Sequence, residues 1–221
     1  MRLILEALLS AAEASQWCER LLTANDGWEP GQRTAGWHAR AVKHNRQLAV
    51  EAPLQRALTE LVIGRLQSDA LLQAAALPVT IHSLRVSRCG PGEGYGRHVD
   101  NAYMAAGRSD LSFSLFLSNP SHYDGGALVL ESPTGEEQLR LPAGQAVVYP
   151  STLLHRVEPV ERGERLVVVG WLQSRVRDAS QRELLFELDT ARRTLFQQQG
   201  KSEVFDLLCR CYANLLRQWG E

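Results

Sequence analysis

A chain of 221 residues is long enough for one substantial hydrophobic core, or for one catalytic domain with a small appendage. Its composition, 44% hydrophobic and 22% charged, is that of an ordinary globular protein, and 24 basic against 25 acidic residues leave a formal net charge of −1. That balance excludes a general electrostatic pull toward nucleic acid or an anionic membrane, so neither is expected as a partner.

The first apolar stretch, Leu3-Ile4-Leu5 with Leu8-Leu9, is too short and too interrupted by Glu6 and Glu13 for a secretion signal. No run approaches the ~18–20 apolar residues of a spanning helix. A cytoplasmic protein is expected. Residues 3–24 read as a helix, with Leu5, Leu8, Leu9, Ala12, Trp17, Leu21 and Leu22 roughly on one stripe and Asn25-Asp26-Gly27 ending it. Trp28 to Arg40, carrying Pro30, Gly31 and Gly36, reads as loop. A second helix runs from about Pro53 to Gln67, with Leu54, Leu58, Leu61, Val62 and Leu66 on one face, and a short helical segment follows near Leu71 to Ala76.

From Leu77 the pattern changes. Val79–Val86, Leu111–Leu117, Ala127–Glu131, Gln138–Leu141, Ala146–Tyr149, His155–Pro159 and Arg165–Gln173 are each strand-length. Turn chemistry separates them, as at Gly90-Pro91-Gly92, Tyr123-Asp124-Gly125-Gly126 and Glu161-Arg162-Gly163. Many short strands at close spacing predict a β-sandwich or barrel. Beyond Ser174, Asp178 or Ser180 caps a helix to about Gln199, and Ser202 caps another with Val204, Phe205, Leu208, Cys209, Tyr212, Leu215 and Leu216 on its apolar side. The chain thus divides into an N-terminal helical region (1–76) packed on a β core (77–175), and a C-terminal helical extension (176–221). The class is α+β. The amphipathic C-terminal helices are expected to pack on the barrel and to support a homo-oligomer. The four cysteines, Cys18, Cys89, Cys209 and Cys211, form no C-x-x-C pair and read as reduced, mostly packed thiols.

Within the β region lies His98-Val99-Asp100. Residues two apart on an extended segment point the same way, so the imidazole and the carboxylate can converge. A third ligand from elsewhere in the barrel completes a triad of two His and one carboxylate, which leaves one face of a metal open, as in non-haem Fe(II) oxygenases. His155, following the turn Tyr149-Pro150-Ser151, is the best third ligand. Arg165 begins the next predicted strand. A hairpin through Arg162-Gly163 would set it beside His155, where its guanidinium could grip the far carboxylate of a metal-chelating diacid. His38, His44, His82 and His122 lack a carboxylate two residues away and are read as ordinary polar residues.

With these residues placed, the sequence resembles the bacterial PKHD-type hydroxylases, relatives of the prolyl 4-hydroxylase catalytic domain. The resemblance spans about Leu77 to Leu188. It is carried by the blocks from Tyr95 to Ala102, Arg108 to Ser112, Leu115 to Pro120 and Tyr123 to Gly126, and then by Leu141 to Gly144, Tyr149 to Ser151, Leu154 to Val157, Trp171 to Ser174 and Arg177-Asp178. It implies a double-stranded β-helix (jelly-roll) core, Fe(II) on His98, Asp100 and His155, and 2-oxoglutarate on Arg165. It further implies O2 as oxidant, L-ascorbate (vitamin C) as a candidate reductant, and hydroxylation of a small-molecule or peptidyl substrate with release of succinate and CO2. A link to iron or siderophore uptake is implied as well. Cys89 departs from the family, which tends to carry an aromatic hydroxyl there that can hydrogen-bond the co-substrate; Tyr95, Tyr103 and Tyr149 are the candidates to replace it. Asn101, Arg108 and Trp171 are candidate outer contacts, with Trp171 expected in the core. Two rival readings are a cupin-type metalloenzyme that does not use 2-oxoglutarate and a non-enzymatic sensor of iron or 2-oxoglutarate.

Overall fold

The computed structural model describes all 221 residues. Strand β1 (Leu3–Leu5) precedes helix α1 (Ala11–Thr23), and β2 (Trp28–Pro30), β3 (Lys43–His44) and β4 (Arg46–Leu48) follow, with single 3-10 turns at Gly31–Thr34 and Ala39–Val42. Helices α2 (Pro53–Ser68) and α3 (Ala70–Ala76) lead into the long strand β5 (Pro78–Cys89). Next come β6 (Gly94–His98), the small hairpin of β7 (Tyr103–Met104) and β8 (Gly107–Arg108), β9 (Leu111–Phe116) and β10 (Tyr123–Gly125). The β region ends with β11 (Leu128–Ser132), β12 (Gly135–Leu139), β13 (Ala146–Pro150), β14 (His155–Val157), β15 (Val160–Gly163) and β16 (Arg165–Ser174). Helices α4 (Ala179–Gln199) and α5 (Glu203–Trp219) complete the chain.

Two antiparallel sheets make the jelly roll: a seven-stranded one in the order β1-β13-β9-β16-β5-β4-β2, and a five-stranded one in the order β12-β11-β14-β6-β3. Side chains alternate across each strand, so each sheet has two different faces. On β16, Leu166, Val168 and Leu172 point away from the small sheet into a core shared with Leu58, Val62 and Leu66 of α2 and Leu72 of α3. Val167, on the opposite face, packs between the sheets with Phe116, Leu128, Leu130, Val147 and Tyr149. The helices close one side of the large sheet, and the small sheet covers the other.

Helix α2 is fastened to the sheet by a buried polar side chain. Gln55 donates to Leu84 O (3.0 Å) and accepts from Val86 N–H (2.9 Å). Gln55→Ala would strand two backbone groups in the core, at about 1–3 kcal/mol each. We expect a loss of ~2–4 kcal/mol in urea unfolding, with the slope of the transition unchanged.

The register of β5 against β16 shifts twice, near Val79 at the strand's start and again in its interior, and the interior break shapes the site. Ser83 has φ +58°, and the register against β16 shifts between Val169 and Trp171, which face Arg85 and His82. This bulge places one extra residue on β5 opposite Gly170. It lets Ile81 return to the helical core while Ser83, Arg85, Ser87 and Cys89 all line the inner cavity. Gly170 is required there, because a Cβ would lie 2.6 Å from Phe113.

The N-terminal region differs from the sequence reading. Leu3–Leu5 is a strand at the edge of the large sheet, paired with β13, and the helix starts only at Ala11. Its start is marked by the capping box Ser10-x-x-Glu13, in which each residue's side chain bonds the other's backbone N–H. Nor is 28–40 a plain loop, since it opens with β2 of the large sheet; residues 43–48 then add β3 to the small sheet and β4 to the large one, so 1–76 is not purely helical. The C-terminal helices match expectation: Asp178 caps α4, Gly200 ends it, and Ser202 caps α5. α4 buries Leu185, whereas α5 rests on α4 through contacts such as Phe196–Phe205 and leaves Val204 and Leu207 exposed.

Candidate active site

A cavity of about 450 Å³ lies between the two sheets. His98 ends β6 and His155 begins β14, and the two residues face each other in the register of the small sheet. Their Nε2 atoms each lie 3.8 Å from Asp100 Oδ1, and the three ligand atoms sit within 4.8 Å of one another. His98 Nδ1 is 2.9 Å from Gly96 O, and His155 Nδ1 is 3.0 Å from Leu153 O. A carbonyl only accepts, so Nδ1 carries the proton in each ring and the Nε2 lone pairs face the common centre. Asp100 Oδ2 accepts from the Ser112 hydroxyl at 2.6 Å, and Ser112 is in turn 2.7 Å from the Ser151 hydroxyl. Oδ1 is left for a metal.

The surroundings suit a ligand role. Burial, reinforced by the charge His155 would carry, pushes the His98 pKa down to about 4, so its imidazole is neutral at physiological pH. The Tyr95 ring stacks on His98 with centroids 3.6 Å apart, which fixes the plane of the imidazole. Two imidazole nitrogens and one carboxylate on a single face form a donor set that fits Fe(II).

Arg165 lines the same cavity and is 2% exposed. Its guanidinium lies over the Phe116 ring at 5.3 Å, and its buried Nε has no hydrogen-bond partner. No carboxylate pairs with it. A buried cation without a counter-ion is costly, and a ligand carboxylate supplies the missing charge. The structure therefore fits a diacid that chelates the metal at one end and meets Arg165 at the other.

The route by which these residues meet differs from the expected hairpin. His155 belongs to the small sheet and Arg165 to the large one. Val160–Gly163 forms its own strand, paired with β10, which carries the chain from one sheet to the other. The two side chains face one cavity from opposite walls.

Cys89 sits opposite Arg165 in the β5–β16 register, and burial pushes its thiol up to about 11, so it offers a neutral S–H. Of the tyrosines, Tyr149 is buried in the cavity wall with its ring against His155, Tyr95 is committed to His98, and Tyr103 is 66% exposed at the mouth. Asn101 also lines the cavity and lies against Gly36. Trp171, expected in the core, lines the cavity instead, and its buried indole nitrogen has no partner. Regular alternation along β16 turns it inward, on the same face as Arg165, Val167 and Val169. Arg108 takes no part in the site: it bonds Asp110 (2.8 Å), Glu221 (2.9 Å) and Ser174 O (3.0 Å), anchoring the C-terminal residues to the β8 edge. His38, His44, His82 and His122 lie outside the triad, and His82 is occupied by Arg108 O at 3.1 Å.

Sequence reasoning missed the wall built by the N-terminal segment. Lys43, Asn45 and Gln47 line the cavity, joined by Thr34, and Arg85 enters from β5. Lys43 is buried, donates to the Thr34 hydroxyl at 3.0 Å, and has its pKa pulled down to about 8 by burial. A signal was present: Lys43, Asn45 and Gln47 repeat every second residue, the period of a strand with one polar face.

Comparison with known proteins agrees with this geometry. The profile of the 2OG-Fe(II) oxygenase superfamily matches residues 84–173, and that of the PKHD-type hydroxylase C-terminal domain matches 179–221. A PKHD-type hydroxylase of Synechococcus elongatus is 53% identical over 225 aligned positions, covering 100% of both chains. One from Acaryochloris marina is 49% identical over 221, again covering 100% of both. Among solved structures, a Pseudomonas putida prolyl-4-hydroxylase shares the fold with TM-score 0.53 at 22% identity, over 79% of this chain and 92% of that one. A Trichoplax adhaerens prolyl hydroxylase, solved with a hypoxia-inducible-factor peptide fragment, gives TM-score 0.56 at 17% identity over 83% and 86%. About half of the residues are thus shared with curated relatives along the whole length, and the chain belongs to the PKHD-type hydroxylases, 2-oxoglutarate-dependent dioxygenases of the 2OG-Fe(II) oxygenase superfamily.

Proposed function

We propose that His98, Asp100 and His155 hold Fe(II), that Arg165 binds the C5 carboxylate of 2-oxoglutarate, and that the enzyme hydroxylates a small-molecule or peptidyl substrate, releasing succinate and CO2. The observation that carries this reading is the unpaired, buried Arg165 guanidinium in the same cavity as a preformed two-His, one-carboxylate face. Bound iron supplies the redox chemistry that couples O2 reduction to decarboxylation of the co-substrate and oxidation of a C–H bond. The chain's own groups do the rest. Ser112 occupies Asp100 Oδ2 and presents Oδ1 to the metal. The His98 imidazole, held neutral by burial, need shed no proton on binding. Val167, Val169 and Leu128 give one stretch of the cavity wall an apolar surface.

The finer expectations stay with this proposal. L-ascorbate would re-reduce iron after turnover that is not coupled to substrate. A role in iron or siderophore uptake rests on the family resemblance alone. No helix of the chain is long and apolar enough to cross a membrane, and a cytoplasmic setting agrees with four cysteines that form no disulfide. A homo-oligomer through α4 and α5 is the reading we attach to the exposed Val204 and Leu207.

Anaerobic titration of the apo-protein with Fe(II) and then 2-oxoglutarate should give a visible metal-to-ligand charge-transfer band at one equivalent of each. Admission of air should then yield slow succinate formation. Bound Fe(II) with no such band would remove 2-oxoglutarate chelation from the reading and favour a cupin-type site.

A further inference from the structure

Four cations line the cavity: Arg33 is exposed and pairs with Glu29 at 3.0 Å, which leaves Arg165, Lys43 and Arg85. Lys43 stands on β3 of the small sheet and Arg85 on β5 of the large one, and neither makes an ion pair. Asp100 acts on Lys43 and Glu51 on Arg85, but both carboxylates are beyond salt-bridge distance. Asp100 is in any case committed to the metal. The iron dication, Asp100, a dianionic co-substrate and Arg165 sum to zero charge. Lys43 and Arg85 then remain as two uncompensated positive charges in a partly enclosed cavity, where low dielectric makes an unmatched charge expensive.

These cations are displaced from the co-substrate's anchor. Arg165 pairs with Cys89, whereas Arg85 lies four residues back along β5, opposite Val169. At about 3.3 Å per residue their backbone positions differ by roughly 13 Å along the strand. Arg85 is also nearer the end of β16 that carries Trp171, whose pairing partner Ser112 holds Asp100. The Trp171 indole N–H is buried, lines this cavity and has no acceptor. The polar side chains nearby largely satisfy one another: Thr34 bonds Gln47 at 2.6 Å and Asn45 bonds Ser87 at 2.7 Å. Of the buried lining atoms without a partner, Asn45 Oδ1 is an acceptor and lies beside Gly31, whereas Arg165 Nε and Trp171 Nε1 are donors, and Lys43 and Arg85 add positive charge.

We propose that Lys43 and Arg85, with the Trp171 N–H, form an anion-binding subsite for the substrate, and that the molecule hydroxylated carries a carboxylate seated there. This rests on the reading that Arg165 and the metal take 2-oxoglutarate. The subsite binds one end of the substrate and leaves a carbon beyond the carboxylate facing the open side of the iron. Lys43 and Arg85 are substrate-binding residues and exchange no proton in the reaction. A neutral molecule of the same shape would leave both cations unmatched and should bind far more weakly.

The test uses full-length protein loaded anaerobically with Fe(II) and 2-oxoglutarate. The probes are N-acetylated amino acids, each paired with its uncharged C-terminal amide. Binding is read as a shift of the charge-transfer band, and coupling as faster succinate formation in air. The expected result is that at least one carboxylate probe shifts the band and accelerates succinate formation, with at least about tenfold tighter binding than its amide. Lys43→Met and Arg85→Gln should each weaken that probe by about tenfold or more. Their dissociation constants for 2-oxoglutarate should change by less than about threefold, while Arg85→Lys should keep most of the probe affinity. The proposal is overturned if no carboxylate probe acts, if amides act equally, or if both variants impair 2-oxoglutarate binding as severely as Arg165→Ala. That last outcome would assign the pair to the co-substrate. Failure of the underlying reading looks different: wild type itself would show no charge-transfer band.

Discussion

Arg165→Ala should weaken 2-oxoglutarate binding by roughly 10²–10³-fold, the ~3–4 kcal/mol expected when one partner of a buried guanidinium–carboxylate pair is removed. The same substitution should leave the apo-protein as stable as wild type, or more so. In the apo state Arg165 is a buried cation with an unsatisfied Nε and no carboxylate, so its removal relieves a cost instead of breaking a bond. The two effects have opposite signs, and that is the diagnostic. Anaerobic titration of the charge-transfer band gives the affinity, and thermal unfolding of metal-free protein gives the stability. If the apo-protein instead loses several degrees in Tm with little change in co-substrate affinity, Arg165 is a structural residue and the anchor lies elsewhere. Arg165→Lys should recover only part of the affinity, because an ammonium cannot make the two-pronged contact.

Asp100→Ala should abolish tight Fe(II) binding. Asp100 is the sole anion among the three ligands, so its loss removes both a bond and the charge that offsets the dication. The drop should exceed the ~10–100-fold typical of deleting an outer-shell partner, with turnover lost in parallel. Folding should suffer far less. In the apo-protein Asp100 accepts a hydrogen bond from Ser112, which keeps Ser151 as a second partner. The loss is therefore of order 1–2 kcal/mol, a few degrees in Tm for a chain of this size. Equilibrium dialysis against Fe(II) under anaerobic conditions, beside a thermal melt, separates the two. Retained iron affinity in the variant would remove Asp100 from the ligand set.

The strands that carry the proposed ligands were legible because their signals are local. The His98-Val99-Asp100 spacing, the turn before His155 and the guanidinium at the head of the last strand each declare themselves within a few residues. The joining of those pieces was less legible. His155 and Arg165 look like neighbours on a hairpin, yet β15 leaves the small sheet to pair with β10, a long-range partner that no local pattern announces. Leu3–Leu5 fits the helical stripe that follows it, and only the vacant edge of β13 makes it a strand. Tertiary pairing overrides local preference in both cases. Trp171 was misplaced although β16 alternates without a break: it shares the face of Arg165, Val167 and Val169, but a tryptophan in an apolar strand reads as core. Lys43 was overlooked for a different reason: strands of two or three residues are too short for their periodicity to stand out from loop.

The way the two imidazoles are held has a consequence for metal selection. Each ring is tethered to a carbonyl two residues earlier in its own chain segment, Gly96 for His98 and Leu153 for His155. The rotameric cost of aligning the ligands is thus met when the backbone folds, before any ion arrives. Manganese, cobalt, nickel and zinc would find the same half-built octahedron waiting, and some bind such nitrogen and oxygen donors more strongly than ferrous iron does. A receptor rigid before loading has little means of rejecting ions of similar size and charge. Occupancy by iron is then decided by which metals the surrounding cell keeps free, and the protein as isolated would carry a record of that supply.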